Sequence, residues 1–315
     1  MNMARLPEEL LELPPGCPYV AGATPGSFRF DQMPAHLYHF ELARHSCSML
    51  KQMLVSPAHY MQQFVSQRTS SPAMQFGSLV HLLVLEPHRL PEHYAVIPGT
   101  GRPSPGERRE AQILHPGREI LSEVQLHEAR IAAERVLQRQ VRGRPFHKFV
   151  EEGLPEVTFF FEDAVTHLPC RTRVDLWHPE AIFDLKTTRH AAVAEFSRAC
   201  ITLNYDLQAY MYCLADARFE ARECARDFVF LAVQSEAPHP VHVLSAGESF
   251  MANGEAKYVR AISLAHACTA ADYWPDNSSD GTLEIQPWQA FEARGFDSGA
   301  AGARACEADL AASSQ

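Results

Sequence analysis

The stretch RTRVDLWHPEAIFDLKTT, residues 171–188, carries the strongest structural signal in the chain. Apolar residues flank a His-Pro-Glu turn signal at 178–180, which predicts two short strands joined by a tight turn. In the second strand, Asp184 and Lys186 stand two residues apart, so both side chains leave the same face of the strand. Asp175 closes the first strand and lies beside them if the two strands pair.

Two carboxylates and one ammonium group at adjoining strand ends are costly to bury without partners. A divalent cation near Asp175 and Asp184 would relieve the repulsion between the two carboxylates. Mg²⁺ prefers oxygen ligands and keeps several waters, which fits two carboxylates, one backbone carbonyl and a histidine, and Mn²⁺ can substitute for it. The sequence therefore predicts a metal site at this hairpin.

The spacing of these residues resembles a known signature. Asp175, eight intervening residues and Asp-Leu-Lys at 184–186 resemble the PD-(D/E)XK nuclease motif, in the variant with Asp in the middle position. Gln208 and Tyr212 reproduce the Gln-x-x-x-Tyr pattern found on the helix after the motif in RecB-type nucleases. The chain is therefore similar to the PD-(D/E)XK nuclease superfamily.

Motifs upstream resemble one branch of that superfamily, the RecE-type exonuclease VIII family, which is related to RecB and lambda exonuclease. Gly77 and His81 match the helix of that family with the pattern Gly-x-x-x-His. Residues 85–87 match the Leu-Glu-Pro sequence at the end of the same helix. Ser-Met-Leu-Lys at 48–51 and Ser-Pro-Ala-His-Tyr at 56–60 resemble the sequence at the start of that family's domain. The resemblance covers most of the chain.

The resemblance implies an α/β fold: a PD-(D/E)XK restriction-endonuclease-like core, with a mixed central sheet flanked by helices and an N-terminal helical region. The nuclease domain would span 46–290, mostly helical over 46–150 and α/β over 151–290. Residues 1–45 are rich in Pro and Gly and are interpreted as an irregular lead-in. Residues 296–315 cannot bury enough apolar area to fold, so a disordered tail is predicted.

The resemblance also implies roles for individual residues. Lys186 would orient the attacking water or stabilise charge on the phosphoryl group, and Gln208 would hydrogen-bond near the metal site. The implied catalytic residues are Glu156, Asp175, Asp184, Lys186, Gln208 and Tyr212. The implied metal ligands are His81, Asp175, Asp184 and the backbone carbonyl of Leu185.

Two of these residues also have ordinary structural interpretations. His81 lies in a strongly apolar predicted helix, 73–85, where a histidine is often held by a backbone carbonyl. Gly77 and the family resemblance favour a metal-binding role for it. Glu156, at the start of the predicted strand 156–161, is either an exposed strand-edge carboxylate or a group close to the active site.

Arginines are concentrated in residues 102–118, a segment with several Pro and Gly that is interpreted as a loop. This loop is either simply solvated or an arm that contacts the DNA backbone, because the planar guanidinium group matches phosphate oxygens. Arginines in the first strand of the hairpin would face DNA or solvent. The candidate DNA-binding residues are Arg102, Arg108, Arg109, Arg118, Arg171 and Arg173.

The composition, with 46% hydrophobic and 21% charged residues, is that of an ordinary globular protein. No apolar run reaches the ~18 residues of a membrane span and no signal pattern begins the sequence, which predicts a cytoplasmic protein without a membrane partner. The eight cysteines include no C-x-x-C pair, so neither a zinc site nor a disulfide framework is indicated. The net charge of −10 argues against a surface coated in positive charge but is compatible with a local basic channel.

Three functions are compatible with these residues. The resemblance favours a Mg²⁺-dependent exodeoxyribonuclease that acts on the ends of double-stranded DNA, 5′ to 3′, in phage-type recombination and repair. It implies a ring-shaped homo-oligomer and a RecT-type single-strand annealing protein as partner. The alternatives are a Cas4-like or RecB-like nuclease for single-stranded or nicked DNA, and a catalytically inactive DNA-binding module of the same fold.

Overall fold

The computed structural model describes residues 12–40, 43–65, 71–99, 101, 103–189, 192–223, 225–280 and 282. Contacts divide the chain into a compact unit, Met1–Asn277, and a short second unit, Ser278–Gln315. The tail predicted to be disordered lies outside the described residues. No helix in the described ranges is long and apolar enough to cross a lipid bilayer.

Helices pack on both faces of a central sheet. They are α1 (Ala35–Phe40), α2 (Cys47–Val55), α3 (Pro57–Gln62), α4 (Pro72–Leu85), α5 (Leu90–His93), α6 (Pro105–Leu114), α7 (Glu123–Gln138), α8 (Phe146–Glu152), α9 (Val193–Thr202), α10 (Tyr205–Glu220) and α11 (Glu248–Ala271). Five of them follow a serine whose side chain accepts a hydrogen bond from the backbone N–H three residues later. These caps satisfy donors that a helix start otherwise leaves unpaired.

The strands are β1 (Val20–Ala21), β2 (Phe28–Phe30), β3 (His45–Ser46), β4 (Tyr94–Ile97), β5 (Glu119–Ser122), β6 (Gln140–Val141), β7 (Arg144–Pro145), β8 (Leu154–Glu162), β9 (Pro169–His178), β10 (Ala181–Thr188), β11 (Asp227–Gln234) and β12 (Val241–Ser245). Within the described residues, eight form the central sheet in the order β1-β2-β8-β9-β10-β11-β12, with β3 paired to β9. The β10–β11 and β3–β9 pairs are parallel and the others antiparallel. This mixed sheet flanked by helices confirms the predicted fold class.

The segment that decides the fold forms the β9–β10 hairpin in the middle of the sheet. Ala181 pairs with His178, which leaves a two-residue turn between the strands, as predicted. Consecutive β10 side chains alternate between two hydrophobic cores. Ile182 packs with residues of α2, α10 and α11, whereas Phe183 and Leu185 pack with residues of α4, α7 and α8.

Two segments are more regular than the sequence suggested. The lead-in predicted to be irregular over residues 1–45 contains α1 and three short strands, of which β2 extends the central sheet by pairing with β8. The arginine-rich segment predicted as a loop contains helix α6. Ser104 and Glu107 cap this helix reciprocally and Pro105 fits its first turn, so three polar or turn-forming residues begin a helix here.

The packing of α11 on α10 depends on Gly254. A Cβ atom at this position would lie 2.1 Å from the Asp206 backbone oxygen. Gly254→Ala is expected to lower the free energy of unfolding by about 1–3 kcal/mol or more, because the backbone of α10 has to move. Urea denaturation measures this change.

Gly106→Ala, in the first turn of α6, is the matched control. A Cβ atom there would lie 3.9 Å from its nearest neighbour, so the substitution should stabilise the protein by about 0.4–1 kcal/mol. Equal stabilities of the Gly254→Ala variant and the unsubstituted protein would contradict the close approach of α10 and α11.

Candidate active site

The candidate active site lies where β9 and β10 separate. Their backbone pairing ends at Phe183 and Leu176, immediately before Asp184 and Asp175. In place of a backbone partner, the Leu185 N–H donates a hydrogen bond to Asp175 Oδ2 at 2.8 Å. The structure therefore brings the two motif carboxylates to neighbouring positions on diverging strands.

A third carboxylate reaches this point from β8. Glu156 has a φ angle of +54°, a left-handed conformation that non-glycine residues adopt rarely and at a cost in energy. The backbone pairs on either side set Glu156 opposite Asp175. Its Oε2 accepts a hydrogen bond from Arg173 Nε at 2.5 Å. Glu156 is therefore part of the site and not an exposed strand-edge residue.

His81 approaches the same carboxylates from α4. Its Nε2 lies 2.6 Å from the Leu185 carbonyl oxygen and 3.6 Å from Asp175 Oδ2. Gly77, one turn earlier, permits this approach, because a Cβ atom there would lie 2.8 Å from Thr187 Oγ1. His81 thus makes the backbone contact expected of a core histidine and also lies beside the Asp175 carboxylate.

His81, Glu156 and Asp175 each offer one ligand atom, and these three atoms lie within 4.8 Å of one another. An octahedral ion with bonds of about 2.1 Å sets neighbouring ligand atoms ~3 Å apart and opposite ones ~4 Å apart. The cluster therefore fits a divalent cation after small side-chain rotations. Two carboxylates suit Mg²⁺ or Mn²⁺, and the imidazole adds affinity for Mn²⁺. Glu156 takes the place in this cluster that the sequence analysis gave to Asp184.

Asp184 and Lys186 face α10. Asp184 is 0% exposed, its Oδ1 accepts a hydrogen bond from Gln208 Nε2 at 2.7 Å, and its Oδ2 forms an ion pair with Lys186 Nζ. Tyr212, one turn after Gln208, is buried in the core with its ring centroid 6.4 Å from that of Phe228. The structure thus brings three predicted catalytic residues, Asp184, Lys186 and Gln208, into direct contact. It packs Tyr212 in the hydrophobic core.

Two residues of this site were missed by the sequence analysis. Lys51 Nζ donates a hydrogen bond to Gln208 Oε1 at 3.2 Å, and the Tyr205 ring centroid lies 5.0 Å from Lys186 Nζ. Lys51 is the only charged residue of α2, whose sequence CSMLKQMLV is otherwise mostly apolar. A single charge in such a helix is a signal that could have indicated a buried polar contact.

A cleft of about 870 Å³ gives access to the site. His81, Glu156 and Lys186 line it, together with Gly117 and Glu119 at the start of β5. Arg118 lies between these last two residues in the chain and is exposed. An exposed cation therefore stands at the rim of the cleft.

The other arginines predicted to bind DNA are placed differently. Arg109 is exposed on α6, whereas Arg108 donates hydrogen bonds inward to the Ile120 carbonyl oxygen and Gln125 Oε1. Arg102 lies outside the described residues.

The two arginines of β9 differ in their surroundings. Arg171 is only 3% exposed and its guanidinium lies 5.0 Å from the Tyr38 ring centroid. Arg171 is therefore a core residue, which corrects the expectation that its side chain faces DNA or solvent. Arg173 donates to Glu156 and to the Met33 carbonyl oxygen and also lines the cleft, so its contact with DNA stays a prediction.

The fold and the site can be compared with known proteins. A family model described as a PDDEXK-like domain of unknown function (DUF3799) matches residues 46–285. The chain belongs to this family. PDDEXK nucleases generally use divalent metals, in agreement with the donor set of the His81 cluster.

Solved structures give a second comparison for this PDDEXK-like chain. The crystal structure described as a "Putative exonuclease" from Eubacterium rectale has a TM-score of 0.53 and 13% sequence identity, covering 76% of this chain and 87% of that chain. This similarity supports a shared fold. The structure of SSO0001 covers 68% of this chain and 85% of that chain at 14% identity, but its TM-score of 0.27 is too low to support an argument. No curated protein matches the chain.

The charges of the cluster predict how the free energy of unfolding depends on pH. Burial raises the pKa of Asp175 from 3.8 to about 6, with His81 opposing the rise and Asp184 adding to it. The folded chain then binds this proton more tightly than the unfolded chain does. The free energy of unfolding therefore falls as the pH rises from about 4 to 6, and the loss persists above pH 6.

Asp175→Asn is expected to raise the free energy of unfolding at pH 7 in EDTA, by on the order of 2 kcal/mol, because it removes a buried charge. The gain should shrink toward zero near pH 4, where the native carboxyl is protonated. Urea denaturation at several pH values measures both quantities. A variant less stable than the unsubstituted protein at pH 7 would contradict a raised pKa for Asp175.

Proposed function

We propose that the chain is a metal-dependent nuclease that hydrolyses phosphodiester bonds in DNA, with Mg²⁺ as cofactor and Mn²⁺ as a substitute. One observation carries the proposal: the metal-compatible cluster of His81, Glu156 and Asp175 lies beside the Asp184–Lys186 ion pair at a single cleft. Three carboxylates in a partly buried site repel one another, and this is unfavourable unless a bound cation neutralises their charge.

His81, Glu156 and Asp175 would hold the ion, with the Leu185 carbonyl oxygen beside them. When bound, a divalent cation lowers the pKa of a water molecule and neutralises charge on phosphoryl oxygens. The strained backbone at Glu156 and its hydrogen bond from Arg173 keep this carboxylate aimed at the cluster before substrate arrives. The chain thus supplies a prearranged set of ligands.

Lys186 supplies a positive charge to the reaction. Burial opposes that charge, but the neighbouring carboxylates of Asp184 and Asp175 outweigh burial and raise the pKa of Lys186 above its ordinary value. Lys186 is therefore an ammonium group with protons to donate. This favours orientation of the attacking water and stabilisation of phosphoryl charge over removal of a proton by Lys186.

The finer proposal is a RecE-type exodeoxyribonuclease that degrades linear duplex DNA from its ends, 5′ to 3′. The motifs around Gly77, His81, Gln208 and Tyr212 support it, and the fold is similar to that of the solved structure described as a "Putative exonuclease". The same proposal includes a ring-shaped homo-oligomer, a cytoplasmic location, an origin in phage, and recombination and repair beside a RecT-type single-strand annealing protein.

The proposal is tested by cleavage of linear duplex DNA, covalently closed circles and single strands, each with Mg²⁺ or EDTA. We expect loss of linear duplex alone, dependent on Mg²⁺. Asp175→Ala, Asp184→Ala and Lys186→Ala should each lower the rate by at least about 100-fold, because the groups removed bind the ion, hold Lys186 in place and stabilise charge, respectively. Circular dichroism establishes that each variant is folded.

Lys148→Ala is the matched control, since Lys148 is an exposed lysine paired only with Glu151 on α8 in the described structure. It should cleave at the unsubstituted rate. Full activity in folded Asp184→Ala protein would refute the assignment of the site. Cleavage of single strands only would select the Cas4-like or RecB-like alternative, and no cleavage of any substrate would select the inactive binding module.

Arg118 is proposed to contact the DNA backbone, because it is exposed beside the cleft. Arg118→Gln should weaken duplex binding in EDTA and lower the slope of log affinity against log salt by about 1, the value for one lost phosphate contact. Fluorescence anisotropy across a salt series measures both. Arg130→Gln, which alters an exposed arginine of α7 away from this cleft, should change neither. Identical salt slopes for the two variants would exclude the contact.

A further inference from the structure

Lys51 lies behind the site on α2. Its helix is fixed in the core by Cys47, Met49, Leu50 and Met53, all buried. Lys51 itself is half-buried and its Nζ donates a hydrogen bond to Gln208 Oε1 at 3.2 Å. Confining an ammonium group in this way is costly, so a compensating role for the charge is expected.

The hydrogen bond from Lys51 determines which way the Gln208 amide faces. A lysine ammonium group has donors and no acceptor, so it can approach only the oxygen end of the amide. The nitrogen end of Gln208 then faces Asp184, and Nε2 donates to Oδ1 at 2.7 Å. A hydrogen bond to a charged donor also polarises the amide and strengthens the bond that the amide makes on its other side.

Tyr205 connects the two lysines of the site. Its ring centroid lies 4.8 Å from Lys51 Nζ and 5.0 Å from Lys186 Nζ, so both ammonium groups pack against one aromatic ring. Like charges repel, and the position of Lys51 beside Gln208 therefore favours Lys186 at its contact with Asp184. Asp184 is thus held on one oxygen by Gln208 and on the other by Lys186.

Lys51 is not placed to meet DNA. Tyr205 and Lys186 line the cleft that leads to the metal cluster, whereas Lys51 is absent from the described residues that line it. Its contacts are with the side chains behind the cleft. A direct contact with a phosphate group in the cleft is therefore disfavoured.

We infer that Lys51 is a positioning residue for the hydrolysis, acting through Gln208 to fix the Asp184 carboxylate beside the metal cluster. The inference rests on the proposed function and adds to it a residue outside the nuclease motif. It makes two claims that can be separated. Lys51 affects turnover and metal affinity more than substrate affinity, and its effect requires Gln208.

The experiment compares Lys51→Met, Lys51→Arg, Gln208→Ala and the Lys51→Met/Gln208→Ala double variant. Steady-state cleavage of linear duplex gives kcat and KM, and calorimetric titration of the DNA-free protein gives the Mn²⁺ affinity. Loss of a residue that orients a carboxylate beside the metal ligands should lower kcat and Mn²⁺ affinity by about 10- to 100-fold. KM should stay within about twofold, because no substrate contact is lost. Lys51→Arg, which keeps the charge and the donors, should recover most of the loss.

The double variant tests whether the effect of Lys51 on turnover depends on Gln208. If Lys51 acts through Gln208, the double variant should be no worse than Gln208→Ala alone, so the two losses are strongly non-additive. Losses that multiply, or a raised KM with unchanged kcat, would overturn the inference. If Lys51→Met does not fold, Lys51→Gln takes its place in the same comparison, since it keeps a donor and removes the charge.

Lys257→Met is the matched control, because Lys257 also pairs with a buried aspartate of α10, Asp206, and its side chain has no hydrogen bond to Gln208 in the described part of the chain. It should lower stability without changing Mn²⁺ affinity. Failure of the proposed function is distinguishable from failure of this inference. If the unsubstituted protein cleaves no DNA, the proposed function fails, while the Mn²⁺ affinities of the four variants still decide whether Lys51 acts through Gln208.

Discussion

The end of the backbone pairing between β9 and β10 is the constraint on which the site depends. Up to Phe183 and Leu176 the two strands exchange backbone hydrogen bonds, and beyond them they diverge. A buried N–H left without a partner is costly, and here Asp175 satisfies the N–H of Leu185. That bond uses one oxygen of the carboxylate to link the diverging strands, and His81 from α4 and Glu156 from β8 each bring a ligand atom close to Asp175.

Much of this arrangement could be predicted from sequence, because it follows from short-range rules. The period of two along β10 places Asp184 and Lys186 on one face, and the Pro within an apolar run marks the hairpin turn. The same rules could have found α6, since a serine followed by Pro and, two residues later, Glu is a helix-start signal that the surrounding Pro and Gly obscured.

Other features depend on contacts between distant segments and leave no local pattern. The left-handed backbone of Glu156 follows from the way β8 meets β9, and Glu is not a residue that indicates such a conformation. Arg171 alternates with apolar residues as an exposed residue would, yet Tyr38 in α1 covers it. Lys51 meets Gln208 across 157 positions of sequence, a separation at which only tertiary structure determines contact.

Under the proposed function, an acidic chain has to hold a polyanion, and the charges of the site bear on how it could do so. Arg89 in the cleft is paired with Glu86 and Glu92, and Arg173 with Glu156, so much of the positive charge is already neutralised by the chain itself. A bound ion and Arg118, which has no ion pair among the described residues, would then supply much of the attraction for phosphate. In the proposed enzyme, the attraction for DNA would therefore be concentrated at the cleft and not spread over the surface.

The dispersal of the site along the chain has a consequence for biosynthesis. Five separate elements supply Lys51, His81, Glu156, Asp184 and Gln208, and the contacts of these residues span about half of the sequence. A nascent chain that has not yet released α10 from the ribosome cannot assemble them. The proposed hydrolysis would therefore require that the last of these elements has docked, so an incompletely folded molecule would lack the complete site.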